Sequence, residues 1–287
     1  MKTYATAEDY RICASLHRKH GTTYFFSSRL FPRELQRRVD AVYGFVRVAD
    51  EWVDNPGELT LDMRGALLED YERQFERGIE GEIPQQPVLR AFCDVVREVG
   101  MDPEEPRLFL SAMSMDLSVD RYPTYPDLQG YMRGSAAAVG QMMCDVMGVD
   151  RDPDLRQCAM ALGDAMQLTN FLRDIGEDLE RGRIYLPLED LHRFGLNERD
   201  LFQREVTPGF VRMMQFEINR ARALYQESDP GIAELPRSMR KAVRAARVLY
   251  AAILDRIEDH EYDVFRRRVR TSRLTKLATA ARIVVLP

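Results

Sequence analysis

Cysteine is scarce in this chain of 287 residues. Cys13, Cys93, Cys144 and Cys158 form no C-x-x-C pair and stand at no metal-ligand spacing from His17, His20, His192 or His260. That pattern argues against a disulfide framework or a zinc site and predicts structural thiols in a reducing cytosol. An excess of cations is also missing: 41 Lys and Arg face 46 Asp and Glu, a formal charge of -5. Proteins that hold the nucleic-acid backbone carry a surplus of Lys and Arg, so no nucleic-acid partner is expected. No apolar run approaches the roughly 18 residues of a membrane span. The N-terminal residues lack an apolar signal core, and the apolar stretch Ile283–Leu286 is far too short to cross a bilayer. With 17 Gly and 14 Pro the chain is neither low-complexity nor collagen-like. Alternating segments bounded by Asn-Gly or Asp-Gly turns are absent. So are internal repeats of about twenty to fifty residues and any linker long enough to divide the chain.

What is present is helical periodicity, nearly end to end. Pro32 opens a long segment over 33–54, as Pro suits the first turn of a helix. A second runs from about Asp154 to Glu180. A third runs from about Ser238 to Arg268, with Val243, Ala246, Leu249, Tyr250, Ile253 and Ile257 on one stripe. Weaker helical stretches fall at 7–19, 61–79, 86–99, 105–117, 126–147 and 208–227, with breaks at Tyr122-Pro123 and Asp229-Pro230-Gly231 among others. The expectation is a single all-α domain over residues 1–287, built as a helical bundle.

Two of the long segments carry polar stripes. Tyr43, Arg47, Asp50 and Asp54 step at four, three and four residues, which stacks them on one helix face, with Glu51 alongside. Gln167, Asn170, Asp174 and Asp178 step at three, four and four, flanked by Arg173 and Glu177. Upstream on the same stripe stand Ala159 and Gly163, so this helix face is apolar at one end and polar at the other. A buried cavity with a charged mouth needs such a gradient. One Asp-x-x-x-Asp pair alone reads as a solvated face; two pairs, one with an added Asn and Gln, point further. Oxygen-only donors suit a hard cation such as Mg²⁺ and not zinc. Carboxylates repel a diphosphate, and bridging Mg²⁺ removes that conflict. Metal and Arg together would then take up the charge of a departing diphosphate.

The residues around these stripes resemble the head-to-head prenyl synthases, the phytoene, squalene and dehydrosqualene synthase family. The matching phrases are Arg47-Val48-Ala49-Asp50-Glu51-Trp52-Val53-Asp54, the run from Gln167 to Asp178, and Arg181-Gly182-Arg183-Ile184-Tyr185-Leu186-Pro187. Asp116-Leu117 with Arg121-Tyr122, and Tyr131 ahead of Ala136 and Val139-Gly140, add to them. The resemblance spans roughly residues 10 to 277 and is most similar to bacterial phytoene synthases. It implies an isoprenoid-synthase-type bundle with a central cavity. Asp50, Asp54, Asn170, Asp174 and Asp178 would hold two or three Mg²⁺. Arg47, Arg173, Arg267 and His20, with Gln167, would face the diphosphates; Arg is suited by its bidentate fork. Tyr43, Tyr131 and Tyr250 would line the reaction centre, where aromatic faces stabilise carbocations and a phenol can help remove a proton.

The chain departs from the family at Thr22, where a Lys is usual, at Glu51, the second acid of the first pair, and at Met132, Arg133 and Ala137 around Tyr131. Arg133 is expected to face outward. The small Ser27 and Ser28 and the non-aromatic Asp40 predict a deep tunnel beside Tyr24 to Leu30, with Ser28 contacting substrate. The implied reaction joins two geranylgeranyl diphosphates head to head through a cyclopropyl diphosphate to give phytoene. Alternatives are squalene, dehydrosqualene or presqualene diphosphate formation from farnesyl diphosphate, a terpene cyclase, or a non-catalytic assembly relative. Intact carboxylate and amide positions disfavour the last, and the Arg183-to-Pro187 phrase disfavours the cyclase. NADPH is not expected, since no G-x-G-x-x-G follows a strand. A cytoplasmic enzyme is expected, with peripheral attachment to the inner membrane face through the basic run Arg266 to Lys276. The sequence carries no signal of oligomeric state.

Overall fold

The computed structural model describes residues 3–55, 57–149 and 152–266. Thirteen α-helices occupy them: α1 Ala7–His20, α2 Thr22–Ser28, α3 Arg33–Asp54, α4 Leu61–Glu80, α5 Pro87–Val99, α6 Glu104–Met115, α7 Tyr125–Met132, α8 Ala138–Met147, α9 Pro153–Glu180, α10 Leu188–Arg193, α11 Glu198–Phe202, α12 Pro208–Glu234 and α13 Arg237–Asp259. A π-helical turn, Arg133–Ala137, joins α7 to α8. Among the described residues there is no strand. One isolated parallel bridge pairs Arg121 with Ile184.

Local chemistry sets the boundaries. α9 starts on Asp152, whose side chain accepts from the Asp154 amide, followed by Pro153 at the first turn. α12 starts in the same way on Thr207 and Pro208. Gly81, Gly100 and Gly148 end α4, α5 and α8 in the left-handed conformation that only glycine adopts without strain. The long helices α9 and α12 pack along one another, and α13 crosses both. A second apolar cluster, in which Phe45 stacks on Phe92 at 4.0 Å, binds α3 to α5. Both are continuous parts of one buried core.

Glycine permits the closest approaches around the π turn. A Cβ on Gly134 would stand 2.4 Å from the Leu108 carbonyl oxygen, and one on Gly163 would stand 2.7 Å from that of Ala136. No real side chain tolerates those separations, so α6, the π turn and α9 meet backbone to backbone.

The expected long helices over 33–54 and 154–180 are found, the second one residue longer at its start. Three expectations are corrected. α13 stops at Asp259, not near Arg268: Glu261 and Tyr262 take positive φ, and the Tyr262 amide turns back to the Ile257 carbonyl at 2.9 Å. The break at Asp229-Pro230-Gly231 does not occur, because α12 runs through Pro230 to Glu234. Proline removes one helical hydrogen bond, but Gly231 lies so close to Cys158 of α9 that helix packing holds the segment. The stretch 126–147 is not one α-helix, since the π turn interrupts it. Short helices α2, α10 and α11 escaped periodicity, which needs two or more turns to register.

Candidate active site

A cavity of about 1010 Å³ runs through the bundle. Along α9 its walls extend from Leu155 to Arg181, about 39 Å of helix at 1.5 Å per residue. The deep end is apolar: Met143, Met147 and Val149 follow from α8, Leu155 and Leu162 from α9, and Ile232 and Leu235 from α12. The opposite end is charged. Arg47, Asp50 and Asp54 of α3 face it from one side, and Gln167, Asn170, Arg173, Asp174 and Asp178 of α9 from the other. His20, at the end of α1, closes the ring. Tyr43, Tyr131 and Tyr250 line the passage between the two ends. The polar-to-apolar gradient read along α9 is thus realised as a cavity with an acidic mouth.

The four aspartates at that mouth each meet an arginine, yet they crowd one another. Arg47 pairs with both Asp50 and Glu51. Arg173 binds Asp174 through Nε at 2.7 Å and Nη2 at 2.5 Å. Arg183 reaches Asp54 at 2.7 Å, and Arg181 lies 3.5 Å from Asp178. Burial nevertheless pushes the Asp50 carboxyl up to about 6, with the charge of Asp54 adding to it. Burial pushes Asp178 further, to about 8, helped by Asp174. The His20 imidazole is held below its usual value by burial and by the neighbouring Arg47 and Lys19. Like-charged carboxylates in a part-buried site raise one another in this way, and a bound cation would reverse the shift.

The donors fit a hard divalent cation. Oδ1 of Asn170 is buried and has no hydrogen-bond partner, although the amide nitrogen donates to Gln167 at 3.4 Å. An orphaned amide oxygen beside carboxylates raised by burial fits the donor set of a hard divalent cation. Among the described residues no three His, Cys, Asp or Glu side chains converge into a closed cage. Mg²⁺ commonly takes only one or two protein carboxylates and completes its shell with water and phosphate.

The mouth therefore gathers the carboxylates, amides and arginines singled out from sequence, with Tyr43, Tyr131, Tyr250 and His20. Arg267 lies outside the described residues. Ser28 is a correction. Tyr24, Ser27 and Phe31 border the cavity at steps of three and four, whereas Ser28 is turned away, its hydroxyl donating to the Phe25 carbonyl at 2.8 Å. Asp40 is not an open wall either. It accepts from Arg29 at 2.5 Å and stands 2.6 Å from Nδ1 of the buried His17, whose ring stacks on Tyr43 at 4.2 Å. Arg133 is half-buried and bidentate to Glu105. Asp116, Arg183 and Tyr185 lie within the matching phrases, where sequence reasoning gave them no role; Asp116 and Tyr185 border the cavity, and Arg183 lies behind Asp54, to which it donates at 2.7 Å.

Comparison with known proteins agrees with this geometry. The profile of the squalene/phytoene synthase family matches residues 17–275. The 15-cis-phytoene synthase of Synechococcus elongatus is 36% identical over 284 residues, covering 95% of this chain and 91% of that protein. The 15-cis-phytoene synthase of Synechocystis is 39% identical over 272 residues, with 91% and 80% covered. A crystal structure of a dehydrosqualene synthase in complex with ligand superposes with a TM-score of 0.89 at 29% identity, over 97% of this chain and 96% of that one. The chain belongs to the squalene/phytoene synthase family. It is a prenyltransferase, of a family that uses a divalent metal to ionise diphosphates.

Asp174→Ala and Asp178→Ala are expected to lower turnover at least a hundredfold and to leave thermal unfolding within a few degrees of wild type. Steady-state rates with circular dichroism melts test this. Near-wild-type rates from both variants would contradict the assignment.

Proposed function

We propose that the enzyme condenses two geranylgeranyl diphosphates head to head, through a cyclopropyl diphosphate, to phytoene. The observation that carries the reading is a continuous cavity with two acid-bearing helices at one end and an apolar wall at the other. Relatives named phytoene synthase, at 36% and 39% identity over nearly the whole chain, support the twenty-carbon substrate. Asp50, Asp54, Asn170, Asp174 and Asp178 would hold Mg²⁺, which when bound neutralises the charge of the departing diphosphates.

The chain's own residues do the rest. Arg47 and Arg173 border the mouth, where their guanidinium groups can donate to diphosphate oxygens if they release the acids they now hold. Tyr43, Tyr131 and Tyr250 turn aromatic surface toward the reacting carbons, where positive charge develops. The apolar wall excludes water, which would otherwise trap the cations as alcohols. No nicotinamide is required for a product that forms by proton loss.

Chain length is set by the deep end. Cys158 lies twelve residues before Asn170 on α9, about 18 Å toward that end. Cys158→Phe should reduce turnover of the twenty-carbon diphosphate at least tenfold more than that of the fifteen-carbon one. The measurement is purified enzyme with Mg²⁺ and each substrate, with and without NADPH, the products identified by mass spectrometry. A wild-type enzyme confined to farnesyl diphosphate would instead support a dehydrosqualene-type reaction.

Among the described residues no helix is long and apolar enough to cross a membrane. Substrate and product are nonetheless greasy. Exposed Phe202 and Val206 flank Arg204, which donates to the Gly176 carbonyl near the charged end of α9. We infer peripheral attachment to an anionic membrane face through this region and the basic residues after Asp263. Flotation with anionic vesicles at low salt should succeed and should fail with neutral vesicles; no flotation with either contradicts it.

A further inference from the structure

Asp116 follows the last residue of α6, 8% exposed, and borders the cavity. Both of its carboxylate oxygens are taken by phenols. Tyr131 donates to Oδ2 at 2.6 Å, and Tyr185 donates to Oδ1 at 3.1 Å. The three rings Tyr122, Tyr131 and Tyr185 stand within 6.0 Å of one another, and Phe171 stacks on Tyr185 at 4.2 Å. Arg183 donates to the backbone carbonyl of Asp116 at 3.2 Å and to Asp54 at 2.7 Å. Among the described residues no guanidinium or ammonium is hydrogen-bonded to the Asp116 carboxylate itself. A buried acid held only by neutral hydroxyls is free to change its proton count, unlike one locked to an arginine.

We propose that Asp116, acting through the Tyr131 hydroxyl, receives the proton that the last carbocation loses when it becomes a neutral polyene. This rests on the functional reading above, in which proton loss and not hydride transfer ends the reaction. The C–H bond at the new central junction breaks, and its electron pair becomes the central double bond. The proton passes to Tyr131 Oη as the phenol's own proton passes to Asp116 Oδ2. Tyr131 ends neutral, Asp116 ends as the carboxylic acid, and no oxidant or reductant is consumed. Without Asp116 the phenol would have to become an oxonium or an exposed base.

The surroundings favour such a resting place. Burial pushes the Asp116 carboxyl up to about 6, against the opposing hydrogen bonds of Tyr131 and Tyr185 and the charge of Arg183, with Asp54 raising it further. The Tyr131 phenol is driven well above its ordinary value by burial and by Asp116, so it stays protonated and can only relay. A carboxylate titrating close to neutrality both accepts the proton and returns it to solvent between turnovers. Asp116 is in this sense a positioning residue and proton store, and Tyr131, which lines the cavity, is the catalytic group.

Asp116→Asn tests it, because the amide oxygen keeps a hydrogen bond from Tyr131 but cannot take a proton. Single-turnover reactions with the prenyl diphosphate that wild type uses, and with Mg²⁺, are analysed for hydrocarbon, cyclopropyl diphosphate and alcohols. The expected result is an unchanged KM, with at least a tenfold drop in hydrocarbon formed per substrate consumed, replaced by cyclopropyl diphosphate or alcohols. Asp116→Glu should recover hydrocarbon to within about threefold. A wild-type product ratio from Asp116→Asn overturns the relay and leaves the released diphosphate as the base. Parallel losses of KM and of both half-reactions in the Asn and Glu variants overturn it in favour of a purely structural role. If Asp116→Asn does not fold, Tyr131→Phe, which removes only the phenol oxygen, must show the same shift in product ratio. A wild-type enzyme making only dehydrosqualene would overturn the chain-length reading alone, since the relay is then read on that product, whereas NADPH-dependent squalene formation would overturn the relay as well.

Discussion

Everything at the charged end of the bundle follows from four aspartates crowded into one part-buried mouth, where even their arginine partners do not hold Asp50 and Asp178 at ordinary carboxylate values. Asp50 and Asp54 come from α3, Asp174 and Asp178 from α9, and each arginine nearby serves one or two of them. Packing like charges in a part-buried mouth costs free energy, seen in the raised Asp50 and Asp178 carboxyls. A protein keeps such an arrangement where a cation and an anionic substrate complete it. The Asn170 oxygen, buried without a hydrogen bond, fits the same cation as a further donor.

The rest of the fold positions and isolates that mouth. Glycines at 134 and 163 let three backbones close around the cavity wall. The bridge between Arg121 and Ile184, with the Leu188 amide donating to the Tyr122 carbonyl at 2.9 Å, pins the loop that carries Arg183 and Tyr185 beneath Asp54 and Asp116. Arg183 therefore joins Asp54 to the tyrosine cluster around Asp116 through one side chain.

Much of this was legible in the sequence, for definite reasons. The stripes from Tyr43 to Asp54 and from Gln167 to Asp178 need only helix geometry to fall on one face, and Pro32 and Pro153 mark where their helices begin. The gradient through Ala159 and Gly163 announced a cavity. Legibility failed where the decisive contact is distant in sequence. The Asp116 bonds to Tyr131 and Tyr185 join residues 15 and 69 positions apart. It failed also at one-residue resolution: in α2 a single step turns a side chain by about 100°, so Ser27 meets the cavity and Ser28 does not. Pro230 misled because packing against Cys158 outweighs a lost hydrogen bond.

The central claim is that the acidic mouth can bind diphosphate only when divalent cations are present. Titration calorimetry of inorganic diphosphate into the purified protein tests it directly, once with Mg²⁺ and once with excess EDTA. Binding in Mg²⁺ that disappears in EDTA, and that Asp174→Ala abolishes, is the predicted result. Diphosphate binding of equal strength in EDTA would mean that the arginines alone hold the substrate, and the account built on crowded carboxylates would be wrong.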